Sequence, residues 1–205
     1  MKTRLRDARV AAAIAALALS CLATGARALE LPDVMKLLAR HASGEARFTE
    51  QRYVHGLDQP LVATGTLSFT TPDRFERRTL TPRAESMVVQ GNQVTLSRGG
   101  RSRSLALDAS PEAQVAVEAV RGALTGNAAV LRKWFKVQVA GDAERWTLDL
   151  VPIDRGTAGP LVAVKLSGRR DMLDTVETTL AGGDHAVMSI EPSVPASTPN
   201  AASAP

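Results

Sequence analysis

Along most of the chain, apolar residues recur at every second position, and only three stretches change to helical spacing. Between Leu29 and His41, Pro32 and Asp33 open a run that places Leu31, Val34, Met35 and Leu38 near one face, with Leu37 adjoining, which predicts a short amphipathic helix. Alternation then takes over. Leu61, Ala63, Leu67 and Phe69 alternate with Val62, Thr64, Thr66, Ser68 and Thr70, which predicts a half-buried strand with Gly65 in its middle. Ala46 to His55 is expected to pair with it, and another strand is expected near Arg74 to Leu80, between Thr71-Pro72-Asp73 and Pro82. Ser110-Pro111-Glu112 starts a second helix with Val117, Val120 and Leu124 on one face. Gly126-Asn127 interrupts it, and Ala128 to Trp134 forms a third.

The last third returns to period two in Phe135/Val137/Val139, Trp146/Leu148/Leu150, Val162/Val164/Leu166, Val176/Thr178/Leu180 and Ala186/Met188/Ile190. The total is about eleven strands, joined by hairpin turns such as Gly182-Gly183-Asp184. The economical architecture is α+β: one long antiparallel sheet, one helix before it and a helical pair inserted in its middle. So wide a sheet must curl or close, because strongly twisted open sheets rarely stay flat at this width. The helices would then cover or plug its concave side.

The segment Glu85 to Leu107 carries arginines in the same alternation as its apolar residues. Gly91-Asn92 and Gly99-Gly100 each fit a two-residue hairpin loop, where glycine supplies the positive φ of the tight turn. Register follows. Val89 faces Val94, Met87 faces Leu96 and Glu85 faces Arg98; on the next strand Arg98 faces Arg101, Leu96 faces Arg103 and Val94 faces Leu105. Opposed residues share a face, so one face grades from Val89, Val94 and Leu105 to Glu85, Arg98 and Arg101. The reverse face carries Val88, Thr95, Ser97, Ser102, Ser104 and Ala106. Two readings stay open. In one, an apolar hollow has a cationic mouth, with the Arg103 stem lying over Leu96. In the other, the hairpin tip projects beyond the sheet, its arginines solvated and Glu85 to Arg98 an ordinary surface pair.

Composition and the chain ends narrow the class. Lys2, Arg4, Arg6 and Arg9, the apolar run Ala11 to Leu22 and the small-x-small site Ala26-Arg27-Ala28 predict a signal peptide over residues 1–28, with Leu29 first in the mature chain. The apolar run is shorter than the ~20 residues of a membrane span. The single cysteine, Cys21, raises lipoprotein anchoring as an alternative, although Leu19 stands one place off the usual pattern. Cleavage after Ala28 leaves no cysteine, and disulfides and thiol chemistry fall away. Of 25 basic and 21 acidic residues, five basic (Lys2, Arg4, Arg6, Arg9, Arg27) and one acidic (Asp7) lie in residues 1–28, leaving 20 of each. A neutral mature chain with 3% aromatic residues gives no basis for nucleic-acid binding. Residues 192–205, rich in Pro, Ala and Ser, read as a disordered tail, which leaves 29–191 as one domain.

Four motifs then stand in order: Ala46-Arg47-Phe48-Thr49-Glu50-Gln51, Gly65-Thr66-Leu67-Ser68-Phe69, Thr71-Pro72-Asp73-Arg74-Phe75, and Glu85-Ser86-Met87-Val88-Val89 with Gly91-Asn92-Gln93-Val94. In these the chain resembles the LolA-type outer-membrane lipoprotein carriers, over most of Leu29 to Ile190. The resemblance implies an unclosed eleven-stranded barrel with helices as a lid. It also implies an apolar cavity for acyl chains in the periplasm, loaded by an inner-membrane transporter and emptied to an outer-membrane acceptor. Inward parity nominates Leu67, Phe69, Phe75, Met87, Val89, Val94, Leu96, Leu105, Trp146, Leu148 and Leu150 as cavity lining, and Arg98, Arg101 and Arg103 as a headgroup-binding mouth. Typical carriers have an arginine where Thr71 stands, and more cavity aromatics. The arginine-rich stretch from Arg74 to Arg103 is similar to LolA-related proteins of aryl polyene pathways, which implies another amphiphile as cargo.

Enzymatic motifs are missing: the sequence holds no Gly-x-Ser-x-Gly elbow, phosphate-binding loop, His-Glu-x-x-His or dinucleotide fingerprint. His41, His55 and His185 are far apart and expected in loops or at helix ends; Asp171 and Asp174 are expected in a solvated turn. The expectation is a monomeric, cofactor-free, metal-free periplasmic carrier and not an enzyme. The alternatives are a lipid-sensing module resembling the LolA-like half of sigma-factor regulators, and a hydrolase using the cavity. On this reading Leu96→Glu weakens acyl-probe binding and Arg101→Glu weakens anionic headgroup capture.

Overall fold

The computed structural model describes residues 29–193. The expected signal peptide, Cys21 and residues 194–205 lie outside the described residues. Helix α1 (Leu31–Leu38) leads into strands β1 (Ser43–Tyr53), β2 (Leu61–Thr70), β3 (Arg74–Thr81), β4 (Glu85–Gln90), β5 (Gln93–Arg98) and β6 (Arg101–Ala106). A 3-10 turn, Leu107–Ala109, precedes α2 (Pro111–Leu124) and α3 (Ala128–Trp134). Strands β7 (Phe135–Gly141), β8 (Trp146–Pro152), β9 (Leu161–Arg169), β10 (Met172–Leu180) and β11 (His185–Pro192) follow. Pro192, expected to open a tail, instead ends β11, and the Ser193 N–H donates to the Glu45 carbonyl at 3.2 Å.

All eleven strands form one sheet in the order β6-β5-β4-β3-β2-β1-β11-β10-β9-β8-β7. Neighbours are antiparallel, and β6 and β7 do not pair with each other, so the barrel is unclosed. Among the described residues no helix is long and apolar enough to cross a membrane. The hairpin register follows the glycine turns: Val89 opposite Val94, Glu85 opposite Arg98, and Arg98 opposite Arg101.

Three irregularities break the alternation, the third leaving Asp174 unpaired where Leu173 faces Gly168 and Thr175 faces Ser167. At the first, Thr64 faces Thr81 while Gly65 faces Thr79, which leaves Leu80 unpaired and exposed. Gly65 is required there because a Cβ would lie 2.8 Å from the Phe48 ring and against the Arg78 carbonyl. At the second, Thr179 faces Ala163 and Leu180 faces Leu161. Leu161 is therefore buried, whereas Val162, expected inward, is only half-buried; Val164 and Leu166 are buried as their parity requires.

The helices fill one half of the concave side. Leu31, Val34, Met35 and Leu38 of α1 and Val115, Ala119 and Ala123 of α2 pack with Leu131 and Phe135 on Trp146, Leu148, Leu150, Val164 and Leu166. Gly126 bends the chain between α2 and α3 with φ +62°, and a Cβ there would lie 2.6 Å from Ala39. Asn127 then caps α3, its side-chain oxygen accepting from the N–H groups of Ala129 and Val130 at 3.1 Å each. A smaller cluster of Val89, Val94 and Leu107 lies under the first turns of α2, with Ala113 and Val117 against it.

Candidate functional site

Between the two clusters the sheet curls away from α2 and leaves a cavity of about 610 Å³. That is within the ~300–1,000 Å³ typical of small-molecule sites. Ala113, Ala116, Val117, Val120 and Leu124 of α2 form its roof; Leu67, Phe69, Phe75, Met87 and Val89 form one wall. The facing wall is Leu173, Val176 and Leu180 of β10 with Met188 and Ile190 of β11. Arg121 ties the roof to the β4–β5 turn, donating to the Gly91 carbonyl at 2.6 Å, and pairs with Glu118 at 2.8 Å.

Of the residues nominated from sequence, Leu67, Phe69, Phe75, Met87 and Val89 line this space. The others do not. Val94 and Leu105 belong to the small cluster beside Leu107, and Trp146, Leu148 and Leu150 are packed solid under the helices. Leu96 is 44% exposed, and Arg98, Arg101 and Arg103 are exposed beyond it, outside the cavity lining. The reason is where the cover ends. The chain returns over the Gly91–Asn92 end of the hairpin, where the Leu107 N–H donates to the Asn92 carbonyl at 2.7 Å, and among the described residues no element covers the other end. The solvated-tip arrangement is the observed one. Leu96→Glu is therefore expected to leave acyl-probe affinity within about twofold and stability within ~0.5 kcal/mol, checked by fluorescence titration and urea denaturation.

Glu50, Arg52 and Arg77 line the cavity and were not nominated. Their signal was parity: Glu50 and Arg52 continue the inward set of Phe48, and Arg77 stands two residues after Phe75. Glu50 Oε1 lies 3.2 Å from Arg77 and 3.3 Å from Arg52. Along the same strand Arg74, also in the lining, and Arg78 both reach the half-buried Glu76.

Of the candidates for catalysis, His41, Asp171 and His185 line the cavity, whereas His55, Asp174, Ser97, Ser102 and Ser104 do not. His41, past α1, lies 3.2 Å from Asp171. Asp174 instead accepts from Arg169 at 2.7 Å. His185 opens β11 and stacks on Tyr53 with ring centroids 4.5 Å apart, while the His55 N–H donates to Asp184 at 2.8 Å. On the convex face Ser97 pairs with Ser102 and Thr95 with Ser104. Among the described residues no group of three or more His, Cys, Asp or Glu is placed to hold a metal ion. Asp154, Arg169 and Arg170, whose pKa values are displaced, lie outside the cavity lining. The Thr157 hydroxyl, and then the N–H groups of Thr157 and Gly156, hold the Asp154 carboxyl below its ordinary value. Asp174 and Glu144 raise the pKa of Arg169 and Arg170, respectively, first by hydrogen bonding.

Curled strands carrying helices across the concave side and retaining an apolar hollow define the LolA-like class of unclosed barrel. The chain belongs to the family described as outer membrane lipoprotein carrier protein LolA-like, whose model matches residues 23–202. Among solved structures it is similar to a LolA superfamily protein from Nitrosomonas europaea, at 10% identity and TM-score 0.44, covering 80% of this chain and 92% of that one. It is similar also to a chain of the Pseudomonas aeruginosa MucA/MucB complex, at 16% identity and TM-score 0.43, covering 79% and 56% of the two chains. The Mycobacterium tuberculosis lipoprotein LppX matches at 8% identity and TM-score 0.34, over 78% and 93%. A search of curated proteins finds no match.

Proposed function

We propose that this protein is a periplasmic carrier that takes the apolar part of an acylated or lipid-like amphiphile beneath α2 and moves it between the inner and outer membranes. The observation that carries the reading is a hollow of about 610 Å³ with aliphatic and phenylalanine side chains on roof and walls. A domain of this size ordinarily fills its interior to crystal-like density, so an apolar space left open calls for an occupant. Each methylene hidden from water is worth ~0.8 kcal/mol, enough that a long chain does not cross an aqueous compartment unaccompanied. Leu67, Phe69, Phe75, Met87 and Val89 would form one side of the acyl site, and Val176, Met188 and Ile190 the other.

In this reading residues 1–28 are the export signal and 29–191 the carrier domain. An inner-membrane transporter supplies the cargo and an outer-membrane acceptor removes it. Direction comes from affinity differences along that route. The test is native mass spectrometry of the protein exported by its own leader and isolated from the periplasm. An amphiphile adduct is expected, removable by organic solvent and replaceable by a fluorescent acyl probe. A protein free of adduct that also fails to bind the probe saturably would overturn the reading.

A further inference from the structure

The inner wall departs from apolar character most sharply on β1 and β3. Glu50 is only 8% exposed. One of its oxygens, Oε1, serves both Arg77 at 3.2 Å and Arg52 at 3.3 Å, so two guanidiniums share one carboxylate. The cluster carries one positive charge in excess. Its neighbours across the sheet are apolar: Glu50 faces Met188 and Ala63, and Arg77 faces Leu67 and Met87. Arg77 lies 4.7 Å over the Phe48 ring, and its buried Nε has no hydrogen-bond partner.

Arg77 is half-buried, and a guanidinium whose buried nitrogen lacks a partner is costly unless an anion meets it. The remaining charges of the lining are committed or belong to other segments. Asp171 is with His41, Asp184 accepts from His55, and Arg121 is with Glu118 and Gly91. Arg74 bonds Glu76 and Gln90. Glu45 and Asp73, by contrast, stand near the Thr70 end of β2, Glu45 opposite Ser68 and Asp73 just past Thr70; Glu50 and Arg52 lie further along β1, opposite Ala63 and Leu61.

We infer that Arg52 and Arg77 form a subsite for an anionic end group, a carboxylate or phosphate, of the amphiphile whose chain fills the cavity. The inference rests on the carrier reading above and specifies its cargo as an acidic amphiphile. Guanidinium groups suit this role because their fork of N–H donors matches carboxylate and phosphate oxygens. Glu50 holds both forks in place before the ligand arrives, and the apolar surroundings strengthen the attraction.

The test compares hexadecanoate, hexadecyl phosphate and hexadecanol, equal in chain and different in charge, as competitors of a neutral acyl probe on the full mature chain. Wild type is expected to prefer either anion over the alcohol by about tenfold, the scale of one charge-assisted hydrogen bond. Arg77→Gln and Arg52→Gln should each collapse that preference, read as the ratio of anion to hexadecanol affinity within each variant, whereas Glu50→Gln should increase it. Should Arg77→Gln not fold, Arg52→Gln carries the same comparison, because that side chain is 53% exposed at the rim. Equal binding of acid and alcohol by wild type overturns the subsite and leaves the carrier reading standing. Failure of all three to bind overturns the carrier reading and the subsite with it. Inorganic phosphate displacing the probe as well as hexadecyl phosphate does would identify a free-anion site and overturn the assignment to an amphiphile.

Discussion

Val120→Trp is expected to weaken binding of a long acyl probe by roughly fifteen- to sixty-fold while leaving the fold intact. Val120 is half-buried and lines the roof of the cavity, yet it belongs to neither packed cluster. An indole there projects into space that is open and displaces no existing side chain. If it excludes two or three methylenes of the ligand, at about 0.8 kcal/mol each, the loss has that size. Short chains that leave the roof uncontacted should bind as before, so affinity against chain length separates wild type from variant. Unchanged affinity for the longest chain would place the ligand elsewhere.

Trp146→Ala should do the opposite, lowering stability by ~3–5 kcal/mol without altering probe affinity in the protein that remains folded. Trp146 is 1% exposed, and a Cβ added at Gly168 would collide with its ring. Its Nε1–H donates to the Arg170 carbonyl at 2.8 Å. Against a total stability of about 5–15 kcal/mol the loss is large, and the urea midpoint should fall by about 1 M or more. Trp146→Phe keeps most of the buried ring and loses the hydrogen bond, so its midpoint should fall less. A midpoint unmoved by the alanine change would contradict the packing described for β8.

Much of the fold was legible because alternation and glycine turns are local signals. Gly91-Asn92 and Gly99-Gly100 set every partner in the β4–β6 meander. Period two along β8 identified Trp146, Leu148 and Leu150 as inward. Parity states which face a residue occupies and not what lies above that face. Trp146, Leu148 and Leu150 lie under the helices, Val176 and Met188 face the hollow, and the same pattern describes both. The slips opposite Leu80 and before Ala163 were illegible for a related reason. An extra residue in one strand is a property of the pair, and neither strand alone records it. Glu50 and Arg77 were legible in principle, as charges occupying inward positions on strands that the sheet places near one another. Their meeting depends on β1 and β3 flanking β2, a long-range fact.

The division of the interior into two unequal clusters has a consequence for how the container accommodates its contents. Helix α2 contributes Val115, Ala119 and Ala123 to the large cluster, but only Ala113 and Val117 reach the small one around Val89, Val94 and Leu107. The cover is thus gripped more firmly by the helical layer than by the small cluster on the side of β6.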